Sequence, residues 1–160
     1  MSMSTLVMGV VNVTPDSFSD GGMWFTPEEG VAHGLELLEQ GADILDVGGE
    51  STRPGAVRPS EDEELRRVIP VIRELSRNGA RISVDTMRAT VAAQALEAGA
   101  SIVNDVSGGL ADADMAGLVA AAQVPFVVMH WRGHSDTMQG RASYDDVVSD
   151  VKAFLEERLA

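Results

Sequence analysis

The sequence predicts an α/β fold built on a parallel sheet. Short apolar runs recur along the chain, each followed by a turn rich in Gly, Asn or Asp and then by an amphipathic stretch. The runs are nearly continuous rather than alternating, which is typical of parallel strands covered on both faces. Five such units in succession favour right-handed crossovers. The predicted strands lie within residues 6–11, 44–47, 81–84, 101–103 and 125–129.

The first predicted helix has clear signals at both ends. Thr26, Pro27 and Glu29 supply an N-cap, a first-turn proline and a reciprocal glutamate. Gly41 can end the helix that they begin.

A second capping box, Ser60 with Glu63, precedes a longer amphipathic helix that would end near residues 78–79. Pro70 lies inside this helix and should bend it or shift its start. Three further helices are predicted over residues 87–97, over residues 114–122 and from Ser143 onward.

Composition limits the classes of partner. The chain carries 12 Lys and Arg against 25 Asp and Glu, a formal net charge of -13. Nucleic acids and anionic membrane surfaces bind basic faces, so neither is expected as the main partner. There is no cysteine, which excludes disulfides and thiolate chemistry. The apolar run within residues 1–13 is too short to span a bilayer and lacks the pattern of an export signal, so we expect a cytoplasmic location.

Polar residues stand at the ends of the predicted strands: Asn12, Asp46, Asp85, Asn104 and His130. A closed β/α barrel would gather all of these ends on one rim, where such barrels keep their active sites. An open sheet would gather only two or three of them at a switch point. No G-x-G-x-x-G follows the first strand, which argues against dinucleotide binding.

The connection at residues 12–22 follows the first strand and precedes a capped helix. It contains two carboxylates, three hydroxyls, two glycines and the aromatic Phe18. A connection that only joins a strand to a helix rarely needs so many residues. We therefore interpret it as a functional βα loop rather than an ordinary capped turn.

Residues 46–55 form a second informative motif. Two glycines after the strand would allow close approach of the backbone to a ligand. Thr52 offers a hydrogen bond, Arg53 a fork for an anion or a loop carboxylate, and Pro54 a rigid apolar face.

Residues 83–86 and 104–109 place Asp85 and Asn104 at neighbouring strand ends. A carboxylate beside an amide matches a fused heterocycle that presents ring N–H and amino donors next to ring acceptors. The alternative is that Asp85 only caps the following helix, and the residues alone leave both interpretations open.

These four motifs together resemble dihydropteroate synthase, and the resemblance runs from about residue 6 to residue 139. The loop at residues 12–22 is its most specific part, since other pterin-binding barrels share only the later motifs. The resemblance implies a TIM-type (β/α)8 barrel, of which this chain would contain about the first five β/α units. It also implies an enzyme that joins 7,8-dihydropterin pyrophosphate to the amine of p-aminobenzoate, giving dihydropteroate and pyrophosphate, with Mg²⁺ assisting and sulfonamides competing for the p-aminobenzoate site.

The resemblance assigns roles by motif position. Asn12 would lie beside the magnesium and the pyrophosphate, as the metal-binding residue. Asp85 and Asn104 would hydrogen-bond the pterin ring deep in the barrel. These three residues form the implied catalytic set.

The loops would supply the remaining substrate contacts. Thr52 would lie near the substrate, with Arg53 steadying the loops. Phe18 and Pro54 would help to enclose the p-aminobenzoate ring.

Residues 129–139 resemble the fifth-strand loop of the same family, although Ser135 stands where a proline is usual. His130 and His134 are four positions apart, a spacing that can bind zinc on a helix. The glutamate of an H-E-x-x-H motif is absent and the segment is predicted as strand end and loop. We therefore do not expect this pair to bind a metal.

A closed eightfold barrel needs roughly 250 residues, whereas this sequence has 160. We expect residues 1–160 to form the N-terminal part of one barrel domain whose C-terminal part is absent from this sequence, with two unpaired sheet edges and a partly wet interior. Full-length family members are expected to be homodimers. Two alternatives stay open: a non-catalytic pterin-binding module, and part of a pterin-dependent methyltransferase, against which the loop at residues 12–22 argues.

Overall fold

The computed structural model describes residues 5–14, 26–51, 56–135 and 137–159. Strands and helices alternate along this part of the chain. In order they are β1 (Met8–Asn12), α1 (Pro27–Glu39), β2 (Ile44–Gly48), α2 (Glu61–Arg77), β3 (Ile82–Asp85), α3 (Ala89–Ala98), β4 (Ile102–Asp105), α4 (Met115–Ala122), β5 (Phe126–Val128), a 3₁₀ turn (Met138–Arg141) and α5 (Val147–Leu159).

The five strands form one parallel sheet in the order β1-β2-β3-β4-β5. Strands that are consecutive in sequence are neighbours in the sheet. An open doubly wound sheet would reverse its strand order at a switch point, and this sheet has no reversal. The order is that of a β/α barrel wall, which confirms the predicted fold class of five β/α units.

Helix α1 begins and ends as its sequence predicts. Thr26 Oγ1 accepts a hydrogen bond from the Glu29 N–H at 3.4 Å, and Glu29 Oε2 accepts one from the Thr26 N–H at 3.0 Å. This reciprocal pair is the predicted capping box. The helix is followed by Gly41, whose φ of +102° lies in the left-handed region that favours glycine.

Helix α2 differs from its prediction in two details. Ser60 caps it through the Glu63 N–H at 3.2 Å, but the Glu63 carboxylate bonds to Arg66 and Arg67, so only half of the second capping box forms. The helix runs without interruption through Pro70, and the predicted shift of its start is wrong. Its buried apolar residues lie on both sides of the proline, so packing offsets the missing hydrogen bond.

Helix α5 begins at Val147, four residues after the predicted start at Ser143. The reason is a competing cap, because Asp146 Oδ1 accepts hydrogen bonds from the Val148 and Ser149 N–H groups at 3.0 and 3.1 Å. This helix buries no side chain. None of the helices in the described ranges is long and apolar enough to cross a membrane.

Helices α1 to α4 cover one face of the sheet. Alternate residues of the strands point into this layer, where Leu45, Val47, Val84 and Leu75 are fully buried. We call the opposite side the inner face. Its residues, assigned from strand alternation and register, are Met8, Val10, Asn12, Ile44, Asp46, Gly48, Ser83, Asp85, Ile102, Asn104 and Val127.

The inner face is unevenly covered. On the outermost described strands, the inner-face residues Val10 and Val127 are 52% and 41% exposed. At the centre, Ile44 and Ile102 are buried. The inner face is therefore exposed on its outermost described strands and buried at its centre.

Candidate functional site

The inner face carries a row of residues at the carboxyl ends of four neighbouring strands. In register across the sheet, Asn12 pairs with Gly48, Gly48 with Asp85, and Asp85 with Asn104. Neighbouring strands lie about 4.8 Å apart. The structure therefore brings together the three residues predicted to be catalytic, and their roles stay predictions.

Gly48 makes room within this row. A Cβ at that position would lie 3.3 Å from both Cβ and Oδ2 of Asp85, which is closer than ordinary packing. The absence of a side chain at Gly48 therefore lets the Asp85 carboxyl lie close against β2. The row thus consists of an amide, a glycine, a carboxylate and a second amide.

Asp46 lies on the inner face two residues before Gly48, in the layer below the row, and it holds the side chain of Asn104. Asn104 Nδ2 donates a hydrogen bond to Asp46 Oδ2 at 2.9 Å, and Asp46 is only 6% exposed. With its N–H turned towards Asp46, the amide directs its carbonyl oxygen the other way, so Asn104 presents an acceptor.

Two buried oxygens in the same layer have no hydrogen-bond partner within the described part of the chain. They are Asp46 Oδ1 and Ser83 Oγ, whose residues are register partners on β2 and β3. Burial raises the pKa of Asp46, and the nearby Ser83 hydroxyl and the Asn104 amide offset part of that rise. Buried polar atoms that make no hydrogen bond of good geometry are rare, and here the two lie on neighbouring strands.

Asp85 supplies the carboxyl of the row, and its pKa is strongly shifted. Burial, reinforced by the negative charges of Asp46, Glu64, Asp105 and Glu50, raises the pKa of Asp85 to about 7. Near neutral pH this carboxyl therefore exchanges easily between its acid and carboxylate forms. It can donate or accept a hydrogen bond, which suits a heterocycle that offers both kinds of partner.

Asp85 does not cap the helix that follows it, so that alternative interpretation is wrong. Helix α3 begins after Arg88, whose N–H donates to Thr86 Oγ1 at 3.1 Å. The next N–H, of Ala89, donates to Asp112 Oδ2 at 2.8 Å. Because other residues satisfy these donors, the Asp85 side chain remains available on the inner face.

A buried ionic cluster behind the row was not predicted. Glu64 is fully buried, accepts a hydrogen bond from Thr86 Oγ1 at 2.5 Å and pairs with Arg88. Glu50 lies 3.5 Å from Arg88 and 2.9 Å from Arg58. Burial raises the pKa of Glu64, and the Thr86 hydroxyl and Arg88 oppose the rise.

The sequence did contain a signal for this cluster. The side chains that α2 buries are Glu64, Val68, Val71, Ile72 and Leu75, one helical stripe that starts with a glutamate. A charge at the start of an apolar stripe is a reason to look for a buried partner.

Four residues predicted to bind substrate lie outside the described residues: Phe18, Thr52, Arg53 and Pro54. The glycine before that segment has a packing role. A Cβ on Gly49 would lie 2.8 Å from Val68 Cγ1, and the Gly49 carbonyl accepts from Arg67 Nη1 at 2.9 Å. Gly49 therefore allows α2 to approach β2 closely.

The two histidines after β5 contact different aromatic rings. The His130 ring lies 4.9 Å from that of Phe154 and 5.8 Å from that of Tyr144, centroid to centroid, and His134 lies 5.1 Å from Trp131. No group of three or more potential metal-ligating side chains occurs among the described residues.

A pocket of about 240 Å³ lies at the loops after β3, β4 and β5. Met87, Val106, Met129 and Trp131 supply much of its lining. These residues directly follow the strands that carry Asp85 and Asn104. An apolar pocket beside a few convergent polar groups is the usual form of a small-molecule site.

Comparison with known proteins identifies the family. The model of the pterin binding enzyme family matches residues 8–160, and the chain belongs to this family. Its relatives include the dihydropteroate synthase of Mycobacterium leprae, which is 55% identical over 150 residues, covering 93% of this chain and 53% of that protein. The resemblance found in the sequence motifs is therefore confirmed.

Solved structures agree. The Xanthomonas albilineans dihydropteroate synthase with 4-aminobenzoic acid aligns with a TM-score of 0.85 at 51% identity, covering 96% of this chain and 54% of that one. The Yersinia pestis dihydropteroate synthase with a sulfonamide drug complex aligns with a TM-score of 0.88 at 40% identity, covering 96% and 56%. The chain spans about half the length of the relatives that it matches.

Proposed function

We propose that this chain carries the pterin-binding part of a dihydropteroate synthase active site. The reaction joins 7,8-dihydropterin pyrophosphate to p-aminobenzoate. The amine nitrogen forms a bond to the methylene carbon of the pterin substrate, the bond from that carbon to the pyrophosphate oxygen breaks, pyrophosphate leaves with the electron pair, and the amine loses a proton. The observation that supports this best is the inner-face row of Asn12, Gly48, Asp85 and Asn104.

The row suits the edge of a pterin. Asp85, with its pKa near 7, offers an acceptor or a donor, and Asn104, held by Asp46, offers a carbonyl acceptor. Binding in this arrangement would satisfy donors of the ring in a site shielded from water. The apolar pocket of Met87, Val106 and Met129 would then cover a face of the ring system.

Asn12 would contribute to magnesium binding at the end of β1. Its carboxamide oxygen is a hard ligand, and it ends the row at the rim where a phosphate group would lie. Mg²⁺ commonly binds one or two protein oxygens and completes its shell with water and substrate phosphates, so a single side chain fits this role. Bound magnesium would neutralise charge on the departing pyrophosphate, which matters in a chain with a net charge of -13.

The remaining expectations belong to the same proposal. Phe18, Thr52, Arg53 and Pro54 would contact p-aminobenzoate and steady the loops, and a sulfonamide would compete there. The cytoplasmic location, the homodimer of the full-length protein and the absence of nucleic acid or membrane partners are also proposed on this basis.

A second candidate is pterin binding without turnover. One observation favours it: the polar groups that the inner face brings together, Asp85, Asn104 and Asp46, are hydrogen-bonding groups for a ring. Reaction residues supplied by the rest of such a barrel would then be needed for catalysis.

One experiment separates the two candidates. Purified chain is assayed for dihydropteroate formation with dihydropterin pyrophosphate, p-aminobenzoate and Mg²⁺, and the same sample is titrated with the pterin substrate alone. Product formation that is lost in Asp85→Asn and kept in Asp114→Asn, a matched substitution on an exposed residue, supports the synthase. Pterin binding without product supports the second candidate. A folded sample that neither binds nor reacts refutes both.

A further inference from the structure

Arg88 lies behind the candidate site and reaches three separate segments of the chain. Its side chain is 15% exposed. Nη1 pairs with Glu64 on α2 and lies 3.5 Å from Glu50 Oε2 after β2, while Nη2 donates to the carbonyl oxygen of Pro59 at 2.7 Å. One guanidinium thus connects the end of β2, the approach to α2 and the start of α3.

These contacts fall on both sides of the β2–α2 connection. Glu50 precedes residues 52–55, and Pro59 follows them. The two sides are also joined directly, because Arg58 Nε donates to Glu50 Oε2 at 2.9 Å. Arg88 is therefore bonded to both stems of a connection whose middle contains the residues predicted to contact p-aminobenzoate.

The same cluster is joined to the pterin row through Thr86. The Thr86 hydroxyl donates to Glu64 Oε1 at 2.5 Å, and its N–H donates to the carbonyl oxygen of Asn104 at 3.0 Å. Thr86 directly follows Asp85 in the chain. A continuous set of hydrogen bonds therefore runs from the row to Arg88 and on to the stems.

The cluster is unlike the two exposed ion pairs of α2. Arg66 and Arg77 are 75% and 69% exposed and pair with glutamates one turn earlier, contacts of little energetic consequence. Glu64 is fully buried, and a buried carboxylate is retained only with close partners, since removing its cation leaves an uncompensated charge. The planar fork of arginine allows several acceptors to be held at once, which a lysine cannot reproduce.

We infer that Arg88 is a positioning residue that clamps both stems of the β2–α2 connection, at Glu50 and Pro59, to the end of β3 beside the pterin row, and that its loss weakens p-aminobenzoate binding more than pterin binding. The clamp rests on the contacts above, and only its consequence for the second substrate rests on the proposed function. Reactions between two bound substrates are sensitive to such placement, because small displacements of either partner lower the rate.

Backbone ¹⁵N relaxation of the 160-residue chain tests the clamp without any ligand. In R88M we expect the order parameters of the Glu50, Ser51 and Arg58 amides to fall from about 0.85 to below about 0.6. Those of Leu45 and Val103 in the sheet should stay rigid. Unchanged order at the stems, or loosening of the whole chain, would overturn the clamp.

Two further variants support this measurement. R88K keeps the positive charge beside Glu64 but loses the planar fork of the guanidinium. The order parameters of its stem residues should therefore lie between those of the wild type and R88M. R88K replaces R88M in the test if R88M fails to fold. R77M removes an exposed arginine from α2 and is the matched control, with no change expected at either stem.

Calorimetric titration tests the consequence. For R88M we expect the p-aminobenzoate dissociation constant, measured with the pterin substrate's analogue bound, to rise about tenfold. The pterin dissociation constant should change by less than about twofold, the scatter usual for independent sites. An equal rise in the dissociation constants of both ligands would overturn the positioning role. If the wild-type chain binds neither ligand, the proposed function fails, and the relaxation experiment alone decides the clamp.

Discussion

On the helix-covered face of the sheet, Leu45, Val47 and Val84 are buried in a dry apolar layer. One residue away along the same strands, Asp46 and Ser83 are also buried, yet each keeps an oxygen without a partner in the described residues. The period of two along a strand separates these environments. The first face contributes apolar burial to stability, and the second buries polar groups at a cost in free energy.

The contrast is also electrostatic. Asp85 and Asp46 share the inner face, and its strand residues include no Lys or Arg to compensate them. Burial raises the pKa of both groups, and for Asp85 the negative charges of Asp46, Glu64, Asp105 and Glu50 add to the rise. The helix-covered side also buries Glu64, but there the Thr86 hydroxyl and Arg88 oppose the rise in pKa. Substitutions on the two faces should therefore affect different measurements.

The largest expected effect is on the covered face. Leu75→Ala removes a fully buried side chain that packs against Gly34 and Leu45, and should lower the free energy of unfolding by about 2–5 kcal/mol. Denaturant unfolding followed by circular dichroism measures it. Leu159→Ala, at a residue that is 78% exposed, is the control and should change stability by less than about 0.5 kcal/mol. Similar losses in both variants would contradict the assigned core.

The next effect is pH-dependent. The pKa of Asp85 is raised from 3.8 to about 7, so the folded chain keeps a proton that the unfolded chain releases. The contribution of Asp85 to the free energy of unfolding is fully present below pH 4 and is lost as the pH rises towards 7. The loss is at most about 4 kcal/mol. Asp85→Asn should lack this loss, so its stability relative to the wild type should increase between pH 4 and pH 8. Parallel stability curves for the two proteins would exclude the shifted pKa.

Asp85→Asn should also weaken pterin binding. A hydrogen bond to a charged or acidic group contributes about 1.5–3 kcal/mol, and an amide can no longer both donate and accept at one oxygen. Because the side chain lies on the inner face, the chain should still fold. Titration with a pterin at pH 7 measures the change, and unchanged affinity would refute the assignment of this residue.

Asp46→Ala should have the smallest effect on binding. It removes the acceptor that holds the Asn104 amide, so a fraction of the amides would turn the wrong group to the ligand, and pterin affinity should fall by about 1 kcal/mol. The unfolding free energy should change little, because a carboxyl with an unpartnered oxygen is also removed from the interior. A large loss of stability with full affinity would show that Asp46 serves the fold and not the site.

Local sequence signals predicted much of this arrangement. The five strands, the Thr26 capping box and the row of Asn12, Asp85 and Asn104 follow from apolar runs, caps and the rule that parallel strands end at one edge. Such signals extend over three or four residues. They fail where two caps compete, as between Ser143 and Asp146 at the start of α5.

The interactions that sequence could not predict join distant parts of the chain. Asn104 and Asp46 are 58 positions apart, and Arg88 and Glu64 are 24 apart. Strand register decides the first contact, and the packing of α2 against the sheet decides the second. A glutamate in the apolar stripe of α2 indicated a buried charge, but only the fold shows that Arg88 and Thr86 are its partners.

The central claim is that the inner face binds a pterin through Asp85 and its neighbours. Calorimetric titration of the 160-residue chain with 6-hydroxymethylpterin at pH 7 tests it most directly, using wild type, Asp85→Asn and the exposed control Asp114→Asn. We expect saturable binding by the wild type and the control, and an affinity at least about tenfold lower for Asp85→Asn. A folded wild-type chain that binds no pterin, or an Asp85→Asn variant that binds as tightly as the wild type, would contradict the claim.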